Sequence, residues 1–193
     1  DGNITVVDLL NNKEDYAKWK EMVGKQIDSA ENSKQLFFLL NKPYYLTFLK
    51  FSAPVLSQED LGHLLADAWI LEECPNQDRN VSKRELLALF RSVPPEFLMN
   101  QEERAAYKSL EDIVTVYRGV TSYNVKNVTL DRDTAEWFAH RFGEEGTVYE
   151  AQIPKEHILA YFNGRNESEV VVDPKYLEQI MESPKPEMGM QMT

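Results

Sequence analysis

An α+β fold, with a helical N-terminal lobe packed on a small mixed β-sheet core, follows from three observations. Residues up to 112 carry apolar side chains at helical spacing. Beyond them come short β-branched runs, chiefly Val114-Thr115-Val116-Tyr117 and Val170-Val171-Val172. No internal repeat and no flexible linker separates the two regions. The expected organisation is a helical lobe at 1–112, a β-rich core at 113–182 and a frayed tail at 183–193. With 193 residues, 42% of them apolar, the chain is long enough to bury a real core.

The helices follow in order. From Asp15 to about Ser29, Tyr16, Trp19, Met22, Val23 and Ile27 form one stripe. Leu36–Leu40 and Tyr44–Phe51 are apolar and bracketed by Pro43 and Pro54, with helix and strand both open. Ser57 opens a helix whose apolar face includes Leu61, Leu64, Leu65, Ala68 and Trp69. Ser82 opens another, with Glu85 three residues on, and Pro94-Pro95 stops it. Asn100 with Glu103 starts a helix that runs to about Asp112 and leads into the strands. Trp19 and Trp69 are expected in the core, as stripes of this kind usually are.

The second half holds the residues with chemical interest. Val114–Val120 reads as a strand bearing one inward-pointing arginine, Arg118, followed by Gly119. Val128-Thr129-Leu130 reads as a second strand bearing a hydroxyl, and Asp133 with Glu136 as a helix start. The most informative stretch is Asn166-Glu167-Ser168-Glu169-Val170-Val171-Val172-Asp173-Pro174. The valines favour a strand and alternate strand residues point the same way, so Glu167 and Glu169 are expected to share one face, about 6–7 Å apart along the backbone. Before them lies the segment Tyr161 to Asn166, with two equal readings: a loop in which Gly164 permits a sharp turn and an aromatic ring is presented to a partner, or Tyr161 and Phe162 as strand core.

In that order, arginine, hydroxyl and Glu-x-Glu resemble the arginine-serine-glutamate class of mono-ADP-ribosyltransferases, over Ile113 to about Pro174. The resemblance implies NAD as substrate and an acceptor protein, commonly modified on arginine, as partner. It implies that Glu169 stabilises the charge that develops on the ribose as nicotinamide leaves, and that Glu167 binds or deprotonates the acceptor. Arg118 would hold NAD as a forked, permanently charged donor. Gly119, Asn127, Thr129 and Phe162 complete the implied NAD-binding set. The family's Ser-Thr-Ser stands here as Asn127-Val128-Thr129, which keeps only the last hydroxyl. In relatives an N-terminal helical region forms one wall of the cleft. Two other readings stay open: an NAD glycohydrolase, with water as acceptor, and a non-catalytic binding or inhibitory protein on the same scaffold.

Composition bounds the rest. The net charge of −11, from 21 basic and 32 acidic residues, disfavours nucleic acid and anionic membranes as partners. Arg118, Lys126, Arg132, Arg141 and Arg165 could still make a local anion site. The single Cys74 excludes an intramolecular disulfide and reads as structural. His63, His140 and His157 lack metal-ligand spacing, so no metal is expected. No run approaches a membrane span, and Asp1-Gly2-Asn3 is unlike a secretion signal. The glycosylation patterns at Asn3, Asn80, Asn127 and Asn166 are read as chance. A cytoplasmic protein of bacterial or phage origin is expected, with delivery as an effector left open.

Overall fold

The structure is a computed structural model that describes residues 8–72, 80–121, 128–141, 143, 146–173 and 175–176. Cys74, Asn127 and the tail from 183 lie outside the described residues. Eight α-helices and five strands are described, and side-chain caps begin most of the longer helices. In α1 (Lys13–Asp28) Asn12 accepts from the amides of Glu14 and Asp15. Ser57 caps α4 (Gln58–Leu71). Ser82 with Glu85 forms a capping box on α5 (Lys83–Ser92), and Asn100 with Glu103 forms another on α7 (Gln101–Ser109). These caps satisfy amides that the first helical turn leaves without intrahelical partners.

The two ambiguous apolar runs are helical: α2 (Ser33–Phe38) and α3 (Tyr45–Ser52), joined through a 3₁₀ turn at Lys42–Tyr44. Pro94-Pro95 ends α5 and starts the one-turn α6 (Pro95–Leu98). The helix expected from Asp133 starts one residue earlier. In α8 (Arg132–His140) the cap is Asp131, whose carboxylate accepts from the amides of Asp133 and Thr134.

The strands are β1 (Ile113–Val120), β2 (Val128–Thr129), β3 (Thr147–Pro154), β4 (Ile158–Phe162) and β5 (Glu169–Val172). They form one sheet in the order β3-β1-β2-β5-β4. Every described pairing is antiparallel, which corrects the expected mixed sheet. The short loop between β4 and β5 brings β5 back along β4, as an antiparallel pair allows, whereas β1 and β3 pair antiparallel although β2 and a helix lie between them in the chain.

Helices and strands share one hydrophobic core. Phe37, Leu46, Leu49, Leu64, Leu65, Phe90, Val116, Ile153, Phe162 and Val170 are all within it. On the sheet, α8 sits so close to β1 that a Cβ at Gly119 would collide with the carbonyl of Ala135 and the amide of Ala139. Only glycine permits that approach. The first helix departs from expectation. None of the residues of α1 is buried, and Tyr16, Trp19, Met22 and Ile27 are exposed. Periodicity identified the stripe correctly, but nothing among the described elements covers it closely. Among the described residues, no helix is long and apolar enough to cross a membrane.

Candidate active site at the entrance to the fifth strand

The chain turns into β5 through a built loop. The Asn163 amide donates to Glu103 Oε1 at 2.9 Å, and Asn163 Oδ1 accepts from the Ser168 amide at 3.1 Å. Glu103 thus has two tasks, since its other oxygen closes the capping box of α7. The turn is sharp enough to place two non-glycine residues in the left-handed region, Asn166 at φ 56° and Ser168 at φ 44°. Asparagine tolerates that conformation, whereas serine bears a cost on the order of 1 kcal/mol. Strain of this kind is characteristic of residues whose placement serves a site.

Ser168 changes how the two glutamates come together. β5 begins at Glu169, so Glu167 precedes the strand and simple alternation along an extended segment does not apply. They converge on a cation instead. Arg165 Nη2 lies 2.9 Å from Glu167 Oε2 and 3.1 Å from Glu169 Oε2, while its Nη1 donates to the Ile70 carbonyl at 3.0 Å. The guanidinium bridges the carboxylates and is itself tied to the end of α4.

Glu169 is the unusual member. It is 3% exposed, and its Oε1 accepts from the indole Nε1–H of Trp69 at 2.7 Å. Burial pushes its pKa up to about 7, against the opposing effects of Arg165 and the Trp69 hydrogen bond; the neighbouring Glu167 raises it further. A carboxylate that exchanges its proton near neutrality is suited to electrostatic or acid–base work.

Thr129 lies beside this group. It pairs with Glu169 across the β2–β5 ladder and with Tyr117 across β1–β2. Its Oγ1 donates to the Glu167 carbonyl at 2.5 Å and accepts from the Asp131 amide at 3.0 Å. The threonine therefore fixes the backbone of the Glu-x-Glu step and joins it to the start of α8. That role depends on the third residue of Asn127-Val128-Thr129, the position that retains a hydroxyl.

Arg118 is placed differently. It stands on β1, separated from β5 by β2, so two strand spacings of about 5 Å each lie between its backbone and that of Glu169. Tyr117, not Arg118, is in the cross-strand row with Thr129 and Glu169. By alternation Arg118 leaves β1 on the side of Val114 and Val116. Burial lowers the pKa of its guanidinium. Gly119 serves the close packing of α8 described above. Phe162, expected as an accessible ring, is 2% exposed and, with Tyr161, completes β4 within the core. In this arrangement neither ring is presented to a partner, because both pair across β5 and fill the interior.

Three groups at the site escaped the sequence. Trp69 appeared only as core, Arg165 only as one of several local cations, and Glu103 only as a capping residue. Trp69 is separated from Glu169 by 100 positions, so no local spacing could join them. Arg165 had a local signal, a cation four residues before a glutamate in a turn-forming segment.

Among the described residues, no cluster of His, Cys, Asp and Glu could hold a metal ion. Comparisons with family models, curated proteins and solved structures found no match to this chain.

Proposed function

We propose that the chain transfers ADP-ribose from NAD to an arginine side chain of a partner protein, with release of nicotinamide, on an ADP-ribosyltransferase-like core. The observation that carries this reading is the guanidinium of Arg165 held jointly by Glu167 and Glu169. The pair accommodates the group that an arginine acceptor presents, and one member is buried where a developing positive charge is stabilised most effectively.

The chemistry assigns the two carboxylates different work. As the bond between the ribose C1′ and nicotinamide breaks, nicotinamide leaves as a neutral base and positive charge grows on the sugar. Glu169 in its ionised form stabilises that charge and accepts from a ribose hydroxyl. The acceptor guanidinium nitrogen forms the new bond to C1′, and Glu167 takes its proton. Arg165 yields its place as the substrates arrive. Thr129 holds the Glu167 backbone in register, whereas Arg118, one residue out of the row of Tyr117, Thr129 and Glu169, leaves the sheet by the other face and is given no contact with NAD.

The test is incubation with labelled NAD and a bacterial lysate, with mass spectrometric mapping of modified residues, for the wild type and Glu167→Gln. Arginine modification by the wild type is expected, with loss of protein labelling in Glu167→Gln while much of the NAD hydrolysis persists. Modification confined to other residue types would reject arginine specificity. An absence of NAD consumption, together with no thermal stabilisation by NAD, would instead favour a binding protein on this scaffold.

A further inference from the structure

We infer that Trp69 is a positioning residue, through which α4 aims the Glu169 carboxylate and favours its anionic form. This inference rests on the role proposed above for Glu169. Indole Nε1–H can only donate, and here it meets Glu169 Oε1 at 2.7 Å in a place where both residues are almost free of water. The ring is locked edge-on against Phe90, with centroids 5.2 Å apart and planes at 88°, so the donor direction is fixed by packing.

The next residue of α4 fixes the other oxygen. The Ile70 carbonyl holds Arg165 Nη1, and Arg165 Nη2 holds Glu169 Oε2. Two successive residues of one helix therefore set both carboxylate oxygens, one directly and one through a guanidinium. The groups that govern ionisation are few. Arg165 favours the charged form, Glu167 opposes it, and the strand neighbours Thr129 and Phe162 carry no charge. Against the burial that pushes Glu169 up to about 7, Trp69 is the neutral donor that favours the anion. Packing alone would require an aromatic ring at this position but no N–H.

Trp69→Phe retains the ring against Phe90 and removes the donor. The acid limb of NAD cleavage is expected to move up by about one to two pH units, the equivalent of one hydrogen bond to a charged group. At pH 7 kcat should fall by about 5- to 50-fold, with KM for NAD within about threefold and activity recovering at higher pH. Equal loss at every pH, with the limb unmoved, would show a packing role and overturn the inference.

A second measurement needs no turnover. In the wild type, the Trp69 indole N–H resonance should titrate with the same midpoint as the Glu169 carboxyl carbon, and Glu169→Gln should abolish that titration. An indole resonance indifferent to pH while Glu169 titrates would overturn the inference. Because this arm is independent of NAD, a protein that cleaves no NAD yet shows the coupled titration would refute the enzyme reading while retaining control of Glu169 by Trp69.

Discussion

At the start of α5 and at the start of β5 the fold places a glutamate among hydrogen-bond donors and beside a cation, with opposite results. Glu85 accepts from the Ser82 amide and hydroxyl and lies 2.9 Å from Lys50 Nζ, and these partners, Ser82 foremost, lower its pKa to about 2. Glu169 accepts from Trp69 and Arg165, yet rises to about 7. The difference is water. Glu85 remains solvated, so each partner favours the anion without a large desolvation cost. Glu169 is sealed between α4 and the sheet, where that cost outweighs its partners. The first glutamate stabilises a helix end, whereas the second is costly to keep and is explained best by use.

That contrast sets opposite pH dependences, of which Glu169 gives the larger. Its folded pKa of about 7 exceeds the reference 4.5, so between those values the folded state binds more protons than the unfolded chain. Stability from this group is therefore present below about 4.5 and lost as pH rises towards 7. The loss is on the order of 3 kcal/mol at pH 8. Glu169→Gln removes the ionisation. Denaturant titration should show it more stable than the wild type at pH 8 by roughly this amount, with the gap closing near pH 4. A constant gap across that range would break the comparison at its buried end.

Smaller effects sharpen the exposed end. Ser82→Ala removes the cap hydroxyl of α5 and should cost about 1 kcal/mol at neutral pH. Glu85 has a depressed pKa, so its contribution is present above the reference 4.5 and lost as pH falls towards 2. Glu85→Gln should accordingly flatten the wild type's decline in stability on acidification, read as the melting temperature between pH 5 and pH 2. A decline just as steep in the variant would show that the capping box has no part in it.

Much of this arrangement was legible in the sequence where the determinants are local. Ser57, Ser82 and Asn100 mark helix starts because their side chains serve amides within three residues, and the structure uses all three. The β1 segment starts at Ile113, and the valine run forms β5. What was missed is nonlocal. β3 did not declare itself as a strand, and for Tyr161 and Phe162 loop and strand core are equal readings from sequence, which pairing with Val170 and Glu169 decides in favour of core. Spacing found the stripe of α1 and that of α4 equally well. It could not tell that Trp19 would face solvent while Trp69 would bond a buried carboxylate, because periodicity says which residues share a face but not what covers it. The two glutamates were the right residues to single out, although a left-handed serine and a bridging arginine, rather than strand alternation, bring them together.

The central claim is that the buried carboxylate at the entrance to β5 cleaves NAD. It is tested most directly by nicotinamide release at pH 8 from the wild type and from Glu169→Gln, with folding checked by circular dichroism and NAD affinity by calorimetry. The account predicts a folded variant that still binds NAD and turns over roughly 10²- to 10⁴-fold more slowly, the scale of a lost transition-state charge. Nicotinamide release by Glu169→Gln within a few-fold of the wild type would contradict it.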